Sequence, residues 1–107
     1  NGTLVVEIQL GEVSDSNELR TLAFNARDRV SADNALVIVT ATSLDKPLIG
    51  AATTEASRTA GLKAGALVRI AASILGGGGG GKDDFAQGGG TDISKLGEAV
   101  TAIKAAI

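Results

Sequence analysis

Six consecutive glycines, Gly76 to Gly81, lie between two segments of helical apolar periodicity and deny this part of the chain any side chain to place in a core. Glycine gives up more conformational freedom on folding than any other residue. Such a run therefore stays a flexible linker, or is held where backbone must come close to another surface. A linker needs no particular neighbours. Here the run continues into Lys82-Asp83-Asp84-Phe85-Ala86-Gln87 and a second cluster, Gly88-Gly89-Gly90, that closes on Thr91-Asp92, residues suited to cap a helix. The arrangement predicts a built loop, exposed at an edge or end of the fold, whose backbone N–H groups meet a partner.

The flanking pattern predicts the elements that carry this loop. Leu4 to Leu10 alternates apolar and polar positions from Val6 onward, a half-buried strand over 3–10 ended by Gly11. Asp15 or Ser16 can cap a helix over about 16–32, whose Leu19, Leu22, Ala23, Ala26 and Val30 share one face. Its outward Arg20, Arg27, Asp28 and Arg29 read as a solvated surface. Ala35 to Ala41 is a continuous apolar, β-branched run of the kind buried on both faces, hence a central strand. Asp45-Lys46-Pro47 has turn chemistry, and Leu48 to Thr54 returns as the second strand of a hairpin, where Gly50 marks a bulge or a close approach. Glu55 to Gly61 reads as a linker. Leu67, Ile70, Ala71, Ile74 and Leu75 then form a helical stripe stopped by the glycine run. Phe85-Ala86-Gln87 is short enough for an edge strand. Asp92 caps a last helix whose Ile93, Leu96, Val100, Ile103 and Ile107 form a stripe that packs on the sheet. The fold class expected is α/β, a mixed β-sheet covered by helices with an exposed Gly-rich loop.

Composition narrows the function. At 107 residues the chain suits one domain, residues 1–107, and its 44% apolar content supports an aliphatic core with only Phe24 and Phe85 as aromatics. A start at Asn1-Gly2, without methionine, is expected of a piece of a longer protein. The lack of cysteine removes disulfides, thiolate nucleophiles and zinc–thiolate sites, and fits a reducing, cytoplasmic setting. No apolar stretch approaches the ~20 residues needed to cross a bilayer, so no membrane partner is expected. With neither histidine nor tyrosine, acid–base work would fall to carboxylates or lysine, and serine has no imidazole to activate it. No catalytic residue is assigned. Asp83, Asp84 and Asp92 are accounted for by loop solvation and a helix cap rather than by a magnesium site. Gly76, Gly81 and Lys82 match the opening of the phosphate-loop pattern G-x-x-x-x-G-K-[ST]. Asp83 stands where a magnesium-binding hydroxyl belongs, however, and the run follows a helix where that motif follows a strand. Nucleotide hydrolysis is set aside.

Nucleic-acid binding remains, in a local form. Ten Lys and Arg against twelve Asp and Glu leave a net charge of −2, so no global field draws in a polyanion. Arg58, Lys63, Arg69 and Lys82 flank the glycine run, with Asp83 and Asp84 opposing them. A backbone nest in the glycines can hold a phosphate oxygen or a base edge, and Lys82 can add one phosphate contact. Two phenylalanines supply no stacking platform for single-stranded RNA, which points to a folded or double-stranded RNA read by its shape.

Leu62-Lys63-Ala64-Gly65-Ala66-Leu67-Val68, a short helix, Gly76 to Gly81 with Lys82, then Asp84-Phe85-Ala86-Gln87-Gly88-Gly89 and Thr91-Asp92, resembles the C-terminal domain of alanyl-tRNA synthetases, which is of the DHHA1 class. The likeness spans residues 62–93 and departs from the family at Asp83, where proline is usual. It implies a DHHA1-like C-terminal domain of a longer enzyme, an alanine–tRNA ligase. Such a domain contacts the outer corner of the L-shaped, alanine-specific tRNA and helps the aminoacylation and editing domains of the same chain act on it. ATP and magnesium for aminoacylation, and zinc for editing, are implied for the parent enzyme, with their residues elsewhere and no cofactor in this domain. A homodimer is a further implied partner. Onto matching positions the resemblance carries a nucleic-acid-binding set: Gly76, Gly77, Gly78, Gly79, Gly80, Gly81 and Lys82, with Ala86, Gln87, Gly88, Gly89 and Gly90. The charge pattern adds Lys63 and Arg58. Two other readings stand beside this one. One is the substrate-binding half of DHHA1 phosphoesterases that act on oligonucleotides or cyclic dinucleotides, whose loops tend to follow three glycines with histidine where this chain has Lys82. The other is a structural or oligomerisation domain that touches no RNA.

Overall fold

In the computed structural model, which describes residues 3–31 and 33–107, the apolar run Ala35–Ser43 forms a strand buried on both faces, as its lack of alternation requires. This is β2. It pairs in parallel with β1 (Leu4–Glu12) on one side and antiparallel with β3 (Lys46–Thr53) on the other. β3 pairs antiparallel with β5 (Phe85–Gly89), and β5 pairs antiparallel with β4 (Gly79–Gly81). The sheet is therefore mixed and five-stranded, in the order β1-β2-β3-β5-β4.

Successive side chains of the inner strands alternate between two apolar clusters. Val37, Val39, Ala41 and Ala52 pack with Leu19 and Ala23 of α1 (Ser16–Arg29). On the other face Leu36, Ile38, Ile49, Ala51 and Ala86 pack with Leu67, Val68, Ala71 and Leu75 of the next long helix, Ala64–Leu75. Ala99 and Ile103 of the last helix, Leu96–Ala105, complete that cluster, and Leu96, Val100 and Ile107 pack against it. The terminal stripe thus buries on its own chain, as its spacing predicted, apart from Ile93, which stays 38% exposed.

Several boundaries differ from expectation, each for a local reason. Gly11 does not end β1; at φ +77 it accompanies a register shift between Gln9 and Glu12, and the strand continues to Glu12. α1 stops at Arg29 because Val30 turns extended, although Val30 still packs in the α1 cluster. Ala32, the expected end of this helix, lies outside the described residues. The β2–β3 turn is Leu44-Asp45 rather than Asp45-Lys46-Pro47, with φ +52 and +64 at its two residues and Lys46 and Pro47 already paired in β3. Those angles are those of a type I′ turn, whose twist suits a two-residue hairpin.

Glu55 to Gly61 is no linker. It contains α2 (Glu55–Thr59), whose N-cap Thr54 accepts from the Ser57 backbone N–H, while the buried Ser57 hydroxyl donates to the Thr54 carbonyl at 2.8 Å. The helix Ala64–Leu75 is then α3. Asp92 caps a single 3₁₀ turn, Ile93–Lys95, that leads into Leu96–Ala105, which is α4. Phe85-Ala86-Gln87 is not an edge strand, because β4 takes the edge beyond it.

Candidate nucleic-acid interface

The glycine run is not an open loop, and its members have different duties. Gly76 closes α3 in a left-handed conformation, φ +82, which spares glycine the Cβ clash other residues meet there. The Gly77 N–H then returns to the Ala72 carbonyl at 3.0 Å. A Cβ on Gly77 would overlap the Gly89 carbonyl and sit 2.5 Å from the Gly90 Cα, and one on Gly90 would overlap the Leu75 carbonyl. A Cβ on Gly88 would stand 2.9 Å from the Gly79 Cα, and one on Gly89 would stand 2.7 Å from the Pro47 carbonyl oxygen. Gly78 alone among the six has open space where a side chain would stand.

Gly79, Gly80 and Gly81 form β4 and leave the outer edge of the sheet without side chains. The ladder to β5 is bracketed by Gly89 N–H donating to the Gly78 carbonyl at 3.2 Å and Lys82 N–H donating to the Phe85 carbonyl at 3.0 Å. Antiparallel pairs alternate between bonded and non-bonded. Gly80 therefore faces Gln87 as a bonded pair, while the N–H groups of Gly79 and Gly81 point away from β5, and the Gly81 carbonyl lies against Gly65 of α3.

The turn after β4 anchors this edge to the rest of the fold. The Lys82 carbonyl accepts from Gly65 N–H at 3.1 Å and the Asp83 carbonyl from Ala64 N–H at 3.0 Å, which satisfies orphan donors at the start of α3. Thr53 at the end of β3 donates its hydroxyl to the Asp83 carbonyl at 2.6 Å and its N–H to the Asp84 carbonyl at 2.9 Å. Asp83 thus contributes through its carbonyl, a group that proline would supply equally. Gly65 is small for the same reason: its Cβ would stand 3.0 Å from the Gly81 carbonyl oxygen.

The cations separate into those at the edge and one that is not. Arg69 of α3 lies alongside β4, since a Cβ on Gly80 would be 3.5 Å from its Nε. Lys82 is exposed where β4 ends, and Lys63 is exposed at the N-cap of α3. Arg58 is engaged within the fold. Its guanidinium donates to the Thr53 carbonyl at 2.6 Å and joins α2 to the end of β3.

Sequence reasoning missed the other wall of this region. Phe24 of α1 and Phe85 of β5 meet at 5.0 Å between ring centroids, and the Arg20 guanidinium carbon stands 5.5 and 5.9 Å from those two centroids. Arg27 lies 4.6 Å from the Phe24 centroid. These distances are within reach of cation–π attraction. Arg20, Phe24 and Phe85 line a groove of 270 Å³ together with Gly80, Gly81, Lys82, Asp84, Ala86 and Gln87. Of the residues read as a solvated helix face, Arg20 therefore borders the glycine strand and Arg27 packs on Phe24. The spacing of Arg20, Phe24 and Arg27, which puts all three on one side of α1, was the available signal; that Phe85 completes the cluster depended on the sheet.

The DHHA1 domain model matches residues 2–107, nearly the whole chain. The chain belongs to the DHHA1 family. Among curated proteins, it is 55% identical over 106 residues to the alanine–tRNA ligase of Paenarthrobacter aurescens (strain TC1), covering 99% of this chain and 12% of that ligase. It spans about an eighth of the length of such relatives, and similarity continues outside the motif segment 62–93. Among solved structures, the C-Ala domain of Aquifex aeolicus alanyl-tRNA synthetase superposes with a TM-score of 0.77 at 29% identity, covering 96% of this chain and 87% of that one. A DHH-domain protein described as a member of the s1p family of ribosomal proteins shares the DHHA1 fold, with a TM-score of 0.57 at 14% identity over 87% of this chain and 21% of that one. Among the described residues, no helix of this DHHA1 domain is long and apolar enough to cross a membrane.

Proposed function

We propose that this domain is the tRNA-binding C-terminal part of an alanine–tRNA ligase, and that it meets RNA at the open edge of β4. The observation that carries the reading is a sheet edge built only of glycine, with outward N–H groups at Gly79 and Gly81 and with Arg69 and Lys82 beside it. Backbone donors unscreened by side chains suit phosphate oxygens, 2′-hydroxyls and base edges, and the flanking cations neutralise one or two phosphates. The likeness to alanine–tRNA ligases and to a C-Ala domain supports tRNA as the RNA. In this reading the domain holds the outer corner of alanine-specific tRNA for aminoacylation and editing domains of the same cytoplasmic chain. ATP, magnesium and zinc serve those domains, and this one supplies affinity and orientation rather than chemistry.

Gly78→Val tests the reading, because a Cβ there meets no atom of the domain within 4 Å and the position needs no left-handed backbone. The expected result is an unchanged melting temperature with tRNA binding weakened about tenfold, equivalent to about 1.4 kcal/mol. Wild type should also prefer folded tRNA to an unstructured RNA of equal length. Equal binding of tRNA by wild type and Gly78→Val, or no preference for folded RNA, would replace this reading with the structural one.

A further inference from the structure

The groove beside β4 has features that recognition of RNA by its backbone does not use. Its floor is a guanidinium and two aromatic rings held against one another, since Arg20 reaches both Phe24 and Phe85 and Arg27 packs on Phe24. Both rings are half-buried, so the stack is fixed by the fold rather than assembled on binding. Gly80 and Gly81 also line it, and the absence of side chains there lets a flat group come close to backbone. Its volume, 270 Å³, approaches the lower end of small-molecule pockets, about 300 Å³, and is a space for one ring system rather than for a helix.

We propose that this groove takes a single unpaired nucleobase of the bound RNA, stacked on the Arg20–Phe24–Phe85 cluster. The mixed lining suits a base. Asp84 lines the groove together with Arg20 and Lys82, so the N–H donors of a neutral base find an acceptor beside the guanidinium and rings it stacks on. The phosphate that follows the base meets Lys82, which lines the groove, or Arg69, which lies alongside β4. Bases splayed from a folded RNA commonly stack on aromatic rings or arginine planes. The assignment rests on the RNA-binding reading above and adds to it a point of contact on the α1 side of the sheet. It also reverses the expectation that two phenylalanines cannot form a stacking platform: two suffice when the fold brings them together under an arginine.

The test compares three RNA hairpins of identical sequence: one with a single bulged adenosine, one with an abasic residue at the bulge, and one fully paired. Wild type should bind the bulged hairpin about tenfold more tightly than the abasic one, since a stacked base contributes about 1–3 kcal/mol. Arg20→Lys keeps the charge and loses the planar surface, so it should abolish that ratio while leaving affinity for the abasic hairpin unchanged. Phe85→Leu, checked for folding by circular dichroism, should reduce the ratio as well. Equal affinity of wild type for bulged and abasic hairpins, or an undiminished ratio in Arg20→Lys, overturns the base site. If the ratio is one but Gly78→Val still weakens tRNA binding, the RNA reading stands and only the base site falls. If wild type binds neither tRNA nor any hairpin, both fall.

Discussion

Adding one methyl group at Gly77 and one at Gly78 should give opposite results, and the contrast decides whether the glycine run is a tether or part of the packed fold. A Cβ at Gly77 would lie 2.5 Å from the Gly90 Cα and overlap the Gly89 carbonyl. Carbon atoms rest about 3.5–4.0 Å apart, so the two backbones must separate by about 1 Å. They are pinned by Gly77 N–H to Ala72 carbonyl at 3.0 Å, Gly89 N–H to Gly78 carbonyl at 3.2 Å, and Thr91 N–H to Leu75 carbonyl at 2.9 Å. Overpacking costs about 1–3 kcal/mol, and each hydrogen bond weakened adds about 1 kcal/mol. Gly77→Ala should therefore destabilise by about 3 kcal/mol, a fall of about 15 °C in melting temperature for a domain of this size.

At Gly78 nothing lies within 4 Å and the backbone is not left-handed. Gly78→Ala should thus be neutral, or stabilise by about 0.5 kcal/mol by restricting the unfolded chain. Thermal unfolding followed by far-ultraviolet circular dichroism, with urea titration as a second measure, reads both variants. Similar melting temperatures for the two would show that the run behaves as a linker, and would refute the close packing on which the β4 interface depends.

Two further outcomes are expected. Replacing Leu44-Asp45 by Asn-Gly should stabilise the domain by about 1 kcal/mol in urea denaturation, because both residues sit at positive φ and Leu44 is 87% exposed, so no packing is lost; unchanged or lower stability would contradict the type I′ assignment. Lys82→Ala should lower the slope of log affinity for tRNA against log salt by about one contact, and an unchanged slope would remove Lys82 from the phosphate-binding set.

Much of the fold was legible because it follows from short-range rules. The unbroken run Ala35 to Ala41 predicted a strand buried on both faces, the stop at Gly76 predicted the end of α3, and the Asp92 cap with its apolar stripe predicted the last helix. Local chemistry was misread where a neighbour in space decides the conformation. Gly11 looked like a strand end and instead accompanies a register shift against β2, and the stretch after Thr54 looked like a linker and instead folds onto the end of β3 through Arg58 and Thr53.

The glycines mark the division most clearly. Their sequence announced that backbone must approach backbone, because only a missing Cβ permits it, but it carried no strand propensity and no side-chain pattern from which β4 could be read. Pairing with β5 in a local hairpin, and the pairing of β5 with the distant β3, turned three of them into the edge of the sheet and set which N–H groups face outward. The same is true of Arg20, Phe24 and Phe85. The helix period placed the first two on one side of α1, but Phe85 lies 61 positions beyond Phe24 (85 − 24) in the chain. Only the sheet, by fixing α1 over β2 and β3 with β5 next to β3, makes their rings one surface. Local sequence determines which elements form and which faces they bury, while the aromatic–guanidinium wall of the candidate site and the place of β5 beside β3 are non-local and exist only once the helix and strands are in order.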